Sequence, residues 1–280
     1  MKLLRYGPAG HEKPGCLHTD GTIRDLSGVV ADISSATISP EVLEQLIATD
    51  VSSLPVVENV GRIGPCVGSP SKCICIGLNY SDHAAETGAT PPTQPIMFQK
   101  AVSAIVGPND DVELPRGSEA LDWEVELAIV IGKEAKYVSE ADAMDYVAGF
   151  TLFNDVSERD YQTKREGQWT KGKSHDTFGP LGPWLVTRDE MPDPHNLDMW
   201  LDVNGQRRQT GSTSTLIFNV PTIVSYVSNF MTLKPGDVIP TGTPPGVAMG
   251  MKPPQYLKVG DVMTLGIAGL GEQRQKVVAA

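Results

Sequence analysis

The residues with the clearest capacity for chemistry lie in Asp122-Trp123-Glu124-Val125-Glu126-Leu127-Ala128-Ile129-Val130-Ile131-Gly132. Trp and β-branched residues dominate this run and Gly ends it, which is the composition of a strand. Side chains alternate faces along a strand, so Glu124 and Glu126 point the same way. Two adjacent carboxylates at the start of an apolar run repel each other, so a positive group must lie between them or one must hold a proton. Asp155 ends a second apolar strand, Phe150 to Asn154, and offers a third oxygen ligand. Three carboxylates suit a hard cation, Mg²⁺ or Mn²⁺, with coordination positions left for substrate and water. Read alone, Glu124 and Glu126 fit a solvated strand face equally well.

A second pair is His83 and Glu86, spaced i,i+3 on a short helix that Gly88 ends. A Glu beside a His orients the imidazole and raises its basicity, which suits a general base acting on water. Such pairs are also frequent on exposed helices that serve only solubility. The Gly- and Pro-rich loop from Gln168 to Trp184 carries Lys171 and Lys173, which would share a side if the chain were extended. Thr241-Gly242-Thr243-Pro244-Pro245-Gly246-Val247 is a tight loop whose backbone N–H groups can bind a carboxylate, or an ordinary turn.

The elements that must position these groups are mostly strands. The 280 residues include 28 Gly and 22 Pro, which favours turns and β structure over a helical bundle. Hydrophobic residues make up 40% and charged residues 20%, as in a soluble globular chain. The net charge of −11 argues against non-specific nucleic-acid or anionic-membrane binding, and means that an anionic substrate needs a locally positive site. Cys16, Cys66, Cys73 and Cys75 lack metal-ribbon spacing and read as buried free thiols in a reducing cytoplasm. No apolar run approaches signal-peptide or membrane-span length, so a cytoplasmic protein is expected.

Met1 to Tyr6 reads as a strand, Gly15 to Leu26 as a hairpin turning at Asp20-Gly21, and Pro40 to Leu46 as a helix capped by Ser39. Ser139 to Val147 and Asn219 to Leu233 read as helices, and Leu197 to Val203 as a strand closed by the Asn204-Gly205 turn. Gly236-Asp237 and Gly260-Asp261 each feed a strand. The Gly- and Pro-rich stretch from Val60 to Pro70 marks a boundary between a small N-terminal domain, 1–68, and a catalytic domain, 69–280.

Taken in order, Gly77-Leu78-Asn79-Tyr80, His83, Glu86, Glu124, Glu126, Asp155, Arg159-Asp160, Gln162, Lys173-Ser174 and Thr241 to Val247 closely resemble the fumarylacetoacetate hydrolase family. The resemblance covers roughly residues 60–280. It implies a mixed, β-rich α+β fold, a β-roll or flattened β-sandwich catalytic domain beside a small N-terminal α/β domain, in a homodimer. It implies one Mg²⁺ or Mn²⁺ held by Glu124, Glu126 and Asp155, with His83 and Glu86 activating water on a segment that closes over the site. It places Arg159, Gln162 and Thr243 on the substrate's carboxylate and keto oxygens, and Lys173 beside the enolate.

The expected reaction is cleavage of the C3–C4 bond of a 2,4-diketo acid to pyruvate and a second acid. The motifs around Lys173, Gln209 and Gly246 resemble members assigned as ureidoglycolate lyases or as hydrolases of 2,4-diketo-3-deoxy sugar acids such as the rhamnonate and fuconate, giving pyruvate and lactate; the hydrolase reading is preferred because a dyad that activates water has an obvious role in C–C hydrolysis. Ureidoglycolate lyase, acylpyruvate hydrolase and oxaloacetate decarboxylase are the alternatives within the family. A non-catalytic, metal-stabilised dimeric module is the alternative outside it.

Overall fold

A computed structural model describes residues 1–88 and 90–280. Among these, two main sheets carry the fold. The larger has nine strands, in the order Ile23–Asp25, Lys13–Leu17, Lys2–Tyr6, Leu185–Thr187, Val147–Asn154, Val125–Ile131, Val238–Pro240, Cys73–Gly77 and Ile96–Lys100. The smaller has five: Gln206–Ser212, Asp198–Val203, Val262–Ile267, Gly271–Ala279 and Val112–Leu114. Pairing is mainly antiparallel, with parallel contacts where Val238 meets Cys73 and where Val277 meets Val112. The fold is the β-rich α+β type that the family resemblance implied.

The strand Val125–Ile131 is buried along its whole length. Val125, Leu127, Ile129 and Ile131 point into the core shared with Met199, Leu201, Met263 and Leu265 of the smaller sheet. Ala128 and Val130 point the other way, into a second core with Leu3, Cys16, Leu43 and Leu46. Both faces are covered, which is why the sequence here is an unbroken apolar run rather than an alternating one. Cys73 and Cys75 share that second face, and all four cysteines are buried and free.

The first three strands extend the large sheet, with Lys2 opposite Val186 and Leu3 opposite Leu185. The sheet therefore runs without a break from residues 1–68 into the rest of the chain, across the boundary expected near residue 68. Leu3, Cys16, Ile33, Leu43 and Leu46 of residues 1–68 share a core with Ala128, Val130, Phe153 and Leu185. The Asp20-Gly21 hairpin, the Ser39-capped helix Pro40–Ile47 and both Gly-Asp turns lie where the sequence predicts them.

Three local expectations differ. The helix expected over Ser139 to Val147 is a single 3₁₀ turn, Ala143–Tyr146, because the β-branched Val147 already begins a central strand. The helix after Asn219 spans Val220–Ser228, and Leu233 instead forms a bridge with Ala135. Lys171 and Lys173 lie on a helical turn, Thr170–Lys173, not an extended segment, so they diverge: Lys173 is buried and Lys171 is exposed. No helix among the described residues is long and apolar enough to cross a membrane.

Candidate active site

Strand register assembles the carboxylates. Phe153 pairs with Glu126 and Asn154 with Val125, so the next residue, Asp155, falls beside Glu124, whose carbonyl accepts the Asp155 N–H at 2.9 Å. One oxygen from each of Glu124, Glu126 and Asp155 lies within 4.8 Å of the others, and all three residues are buried.

The charges around them are partly balanced. Lys173 Nζ lies 2.7 Å from Glu124 Oε2 and 2.8 Å from Asp155 Oδ2. Arg159 Nη2 reaches Glu124 Oε1 at 2.7 Å, and its Nε donates to Asp122 Oδ2 at 2.8 Å. Burial alone would raise the Glu124 pKa, but Lys173 and Arg159 outweigh it and bring it down to about 2. Burial likewise opposes the Lys173 charge, and Asp155 and Glu124 more than restore it, so its pKa is raised. Glu126 stands differently. Its Oε2 accepts the Gly242 N–H at 2.8 Å, while burial and then the Asp155 and Glu124 carboxylates push its pKa well above the usual range. Of the two ways to relieve the Glu124–Glu126 repulsion, the site uses both: a cation on Glu124 and a proton preference on Glu126.

His83 and Glu86 sit on the helix Ser81–Thr87, with His83 Nδ1 3.1 Å from Glu86 Oε2. The Gly246 N–H donates to the Glu86 carboxylate at 3.2 Å. The loop Thr241 to Val247 does bind carboxylates, but they are the protein's own: Gly242 holds Glu126 and Gly246 holds Glu86. The turn before this helix is pinned by buried Asn79, which donates to the carbonyls of Thr241 and Phe218 and accepts from the Phe218 N–H.

A cavity of about 240 Å³ brings these groups together, lined in part by His83, Glu124, Glu126, Arg159, Gln162, Lys173 and Thr243. The residues expected to act on substrate or metal thus border one space, except two: Asp155, which is fully buried and paired with Lys173, and Glu86, which reaches the space only through His83. Two residues expected to bind substrate are already engaged. Gln162 Oε1 accepts from Arg159 Nη1 at 3.0 Å, and the Thr243 hydroxyl donates to the Val125 carbonyl while accepting from Gln209.

Three contributors carried no role from sequence. Lys100 is fully buried, with Nζ 2.8 Å from Asp155 Oδ1 and donating to the carbonyls of Val156, Phe178 and Lys173. Its signal was a lysine on the apolar face of the strand Ile96–Lys100. Asp122 accepts from the Ala248 and Met249 N–H groups as well as from Arg159, tying the loop after Gly246 to the site. Gln209 holds Thr243 and also bonds the Pro244 carbonyl at 2.8 Å; no short-range pattern marks it.

The donor set fits a hard divalent cation. Among the described residues, the carboxylates of Asp122, Glu124, Glu126 and Asp155 face the cations Lys100, Arg159 and Lys173, which leaves one negative charge in surplus. Among the described residues, Glu126 is the one of the four carboxylates that no cation pairs with, its Oε2 being held by the Gly242 N–H. All the donors are oxygen, as Mg²⁺ or Mn²⁺ prefers.

Residues 72–278 match the model of the fumarylacetoacetate (FAA) hydrolase C-terminal domain. The chain belongs to the fumarylacetoacetate hydrolase family and is an enzyme of the hydrolase class. A relative from Burkholderia multivorans is 58% identical over 281 residues, covering 100% of both chains, and its name goes no further than hydrolase. Fumarylacetoacetate hydrolase from the psychrophile Exiguobacterium antarcticum superposes with a TM-score of 0.88 at 37% identity, over 100% of both chains. Maleylpyruvate hydrolase from Sphingobium sp. SYK-6, in complex with manganese(II) and pyruvate, superposes with a TM-score of 0.83 at 31% identity, again over 100% of both.

Proposed function

We propose that this protein is a divalent-metal-dependent hydrolase that cleaves the C3–C4 bond of a 2,4-diketo acid, releasing pyruvate and a second carboxylic acid. The observation that carries this reading is that one cavity is bordered by the Glu124 and Glu126 carboxylates, with Lys173, and by His83, whose Nδ1 is held by Glu86 behind it. The first set suits holding a pyruvate-like anion and the second suits activating water. The manganese and pyruvate in the maleylpyruvate hydrolase structure support the same division of labour.

Glu124, Glu126 and Asp155 would hold Mg²⁺ or Mn²⁺, which when bound supplies Lewis-acid polarisation of the substrate's C2 oxygen and carboxylate. Glu86 accepts the His83 Nδ1 proton, which leaves Nε2 as the nitrogen that removes a proton from water as its oxygen attacks C4. The C3–C4 pair then passes to C3 and the C2 oxygen. The Lys173 ammonium, kept charged by Asp155 and Glu124, stabilises that developing oxyanion. Protonation at C3 completes pyruvate, and the acyl carbon leaves as a carboxylic acid, so one water is consumed per bond cleaved. Arg159 and Gln162, joined by their 3.0 Å bond, border the carboxylate end of the cavity in this reading, and Thr243 orients the loop at the keto oxygens.

The finer form of this reading, a 2,4-diketo-3-deoxy sugar acid, depends on the group beyond C4, as does any ureidoglycolate or oxaloacetate activity. A homodimer belongs to the same reading by family resemblance. A cytoplasmic location agrees with four buried free thiols.

The test is to split hydrolysis from enolate binding. His83→Ala should lower C–C hydrolysis of an acylpyruvate by about 10²-fold or more, and leave oxalate, a mimic of enolpyruvate, bound as in wild type. Equal losses of both would give His83 a purely structural role and remove the water-activating step.

A further inference from the structure

The cavity lining is of two kinds. One is charged, the Glu124 and Glu126 carboxylates with Lys173 and Arg159. The other is apolar and consists of Ile76, Leu78, Phe98, Trp169 and Met249, with Phe98 reaching the Lys173 ammonium, 5.1 Å from its ring centroid. Phe98 and Trp169 meet edge to face, with ring centroids 5.1 Å apart and planes at 60°. The indole lies so close to Gly77 that a Cβ there would meet Trp169 Cζ3 at 2.7 Å, so the glycine makes room for the ring. Leu78 adopts φ 50°, a left-handed conformation that non-glycine residues rarely take. It is held there beside the pinned Asn79, and it lines the cavity. Phe98, Trp169 and Leu78 are only half-buried, and Met249 is 39% exposed. These apolar surfaces are left for a bound molecule to cover.

The hydroxyl groups on the lining are committed elsewhere. Thr163 donates to the Arg159 carbonyl at 2.8 Å, and Thr243 to the Val125 carbonyl at 2.9 Å. Arg159 directs Nε to Asp122, Nη1 to Gln162 and Nη2 to Glu124. A polyol tail entering beside the aromatic side chains would lose its bonds to water and find few partners, and a second carboxylate would have to compete with Asp122 and Glu124 for Arg159.

Resting on the proposed diketo acid chemistry, we infer that the acyl group beyond C4 is an apolar hydrocarbon, alkyl or aryl, clasped by Trp169, Phe98, Leu78 and Met249. The substrate class is then a neutral-tailed acylpyruvate rather than a deoxy sugar acid or a dicarboxylic diketo acid.

Two measurements with the Mn²⁺-loaded enzyme test this. The first is kcat/KM for 2,4-diketo acids whose tails are methyl, n-butyl, phenyl, dihydroxyethyl and carboxyethyl. Each added methylene should raise kcat/KM by about fourfold until the cavity is filled, and the butyl and phenyl compounds should exceed both polar-tailed ones. The second is calorimetric binding of oxamate against N-butyloxamate, inert pyruvate-like anions without and with a tail. The butyl compound should bind more tightly to wild type, and Trp169→Ala should remove most of that gain while leaving oxamate itself unchanged. A dihydroxyethyl or carboxyethyl compound with the highest kcat/KM overturns the inference, as does equal binding of the two oxamates. If the oxamates behave as expected but no diketo acid is cleaved, the apolar subsite stands and the hydrolytic reading fails instead.

Discussion

Lys100 offers the sharpest test of how the carboxylate cluster is built. Its ammonium is fully buried, 2.8 Å from Asp155 Oδ1, and it also donates to the carbonyls of Val156 and Phe178 at 3.2 and 3.0 Å. Lys100→Met keeps the length of the side chain and removes the charge and its donors. Removing one member of a buried ion pair typically costs about 3–5 kcal/mol, because the other charge is left without a partner. Asp155 retains Lys173 at 2.8 Å, which holds the loss down, while the three orphaned carbonyls, of Val156, Lys173 and Phe178, add to it. We take about 4 kcal/mol for the metal-stripped protein. A 280-residue chain unfolds with an entropy of roughly 0.6 kcal/mol/K, so the midpoint should fall by about 7 °C. Adding Mn²⁺ should narrow the gap between variant and wild type, since the ion brings positive charge to Asp155. Thermal unfolding followed by circular dichroism, in EDTA and then in saturating Mn²⁺, reads both effects. A metal-stripped midpoint within about 2 °C of wild type would refute the view that Lys100 holds Asp155 in place.

Further outcomes follow from the same geometry. Glu126→Ala should eliminate tight Mg²⁺ or Mn²⁺ binding while leaving a folded protein, and a single tight site surviving in calorimetry would move the metal elsewhere. Glu12 lies between Arg62 at 2.8 Å and Arg5 at 3.4 Å; burial favours its neutral form, but the Arg62 bond and both guanidinium charges outweigh this and lower its pKa. A lowered folded pKa gives stability that is present above the unfolded carboxylate pKa and lost as pH falls through the folded one. Glu12→Gln should therefore destabilise the protein at pH 7 in urea titrations, and the difference should vanish in acid; a gap that persists at pH 2 would point to packing instead of charge. Light scattering should give twice the chain mass, and a monomer that remains fully active would detach catalysis from the expected homodimer.

The sequence by itself determined those parts of the site that depend on short-range periodicity. Strand alternation puts Glu124 and Glu126 on one face, and helical spacing puts His83 next to Glu86. The turns at Asp20-Gly21, Gly236-Asp237 and Gly260-Asp261 were legible because Gly and Asp have local conformational preferences that tertiary contacts rarely override. The tertiary structure alone decided what comes from distant segments. Register between two strands carried Asp155 to Glu124, and sheet order brought Lys100 from an edge strand to Asp155. The backbone amides of Gly242 and Gly246 became the partners of Glu126 and Glu86, a use that depends on loop position rather than residue type. The run Ser139 to Val147 shows the opposite limit: its residues allow a helix, but pairing of Val147–Asn154 in the central sheet claims the end of that run. Residues 1–68 likewise read as a separate unit from composition, yet their strands lie in the large sheet, because apolar faces are buried wherever a matching edge is available.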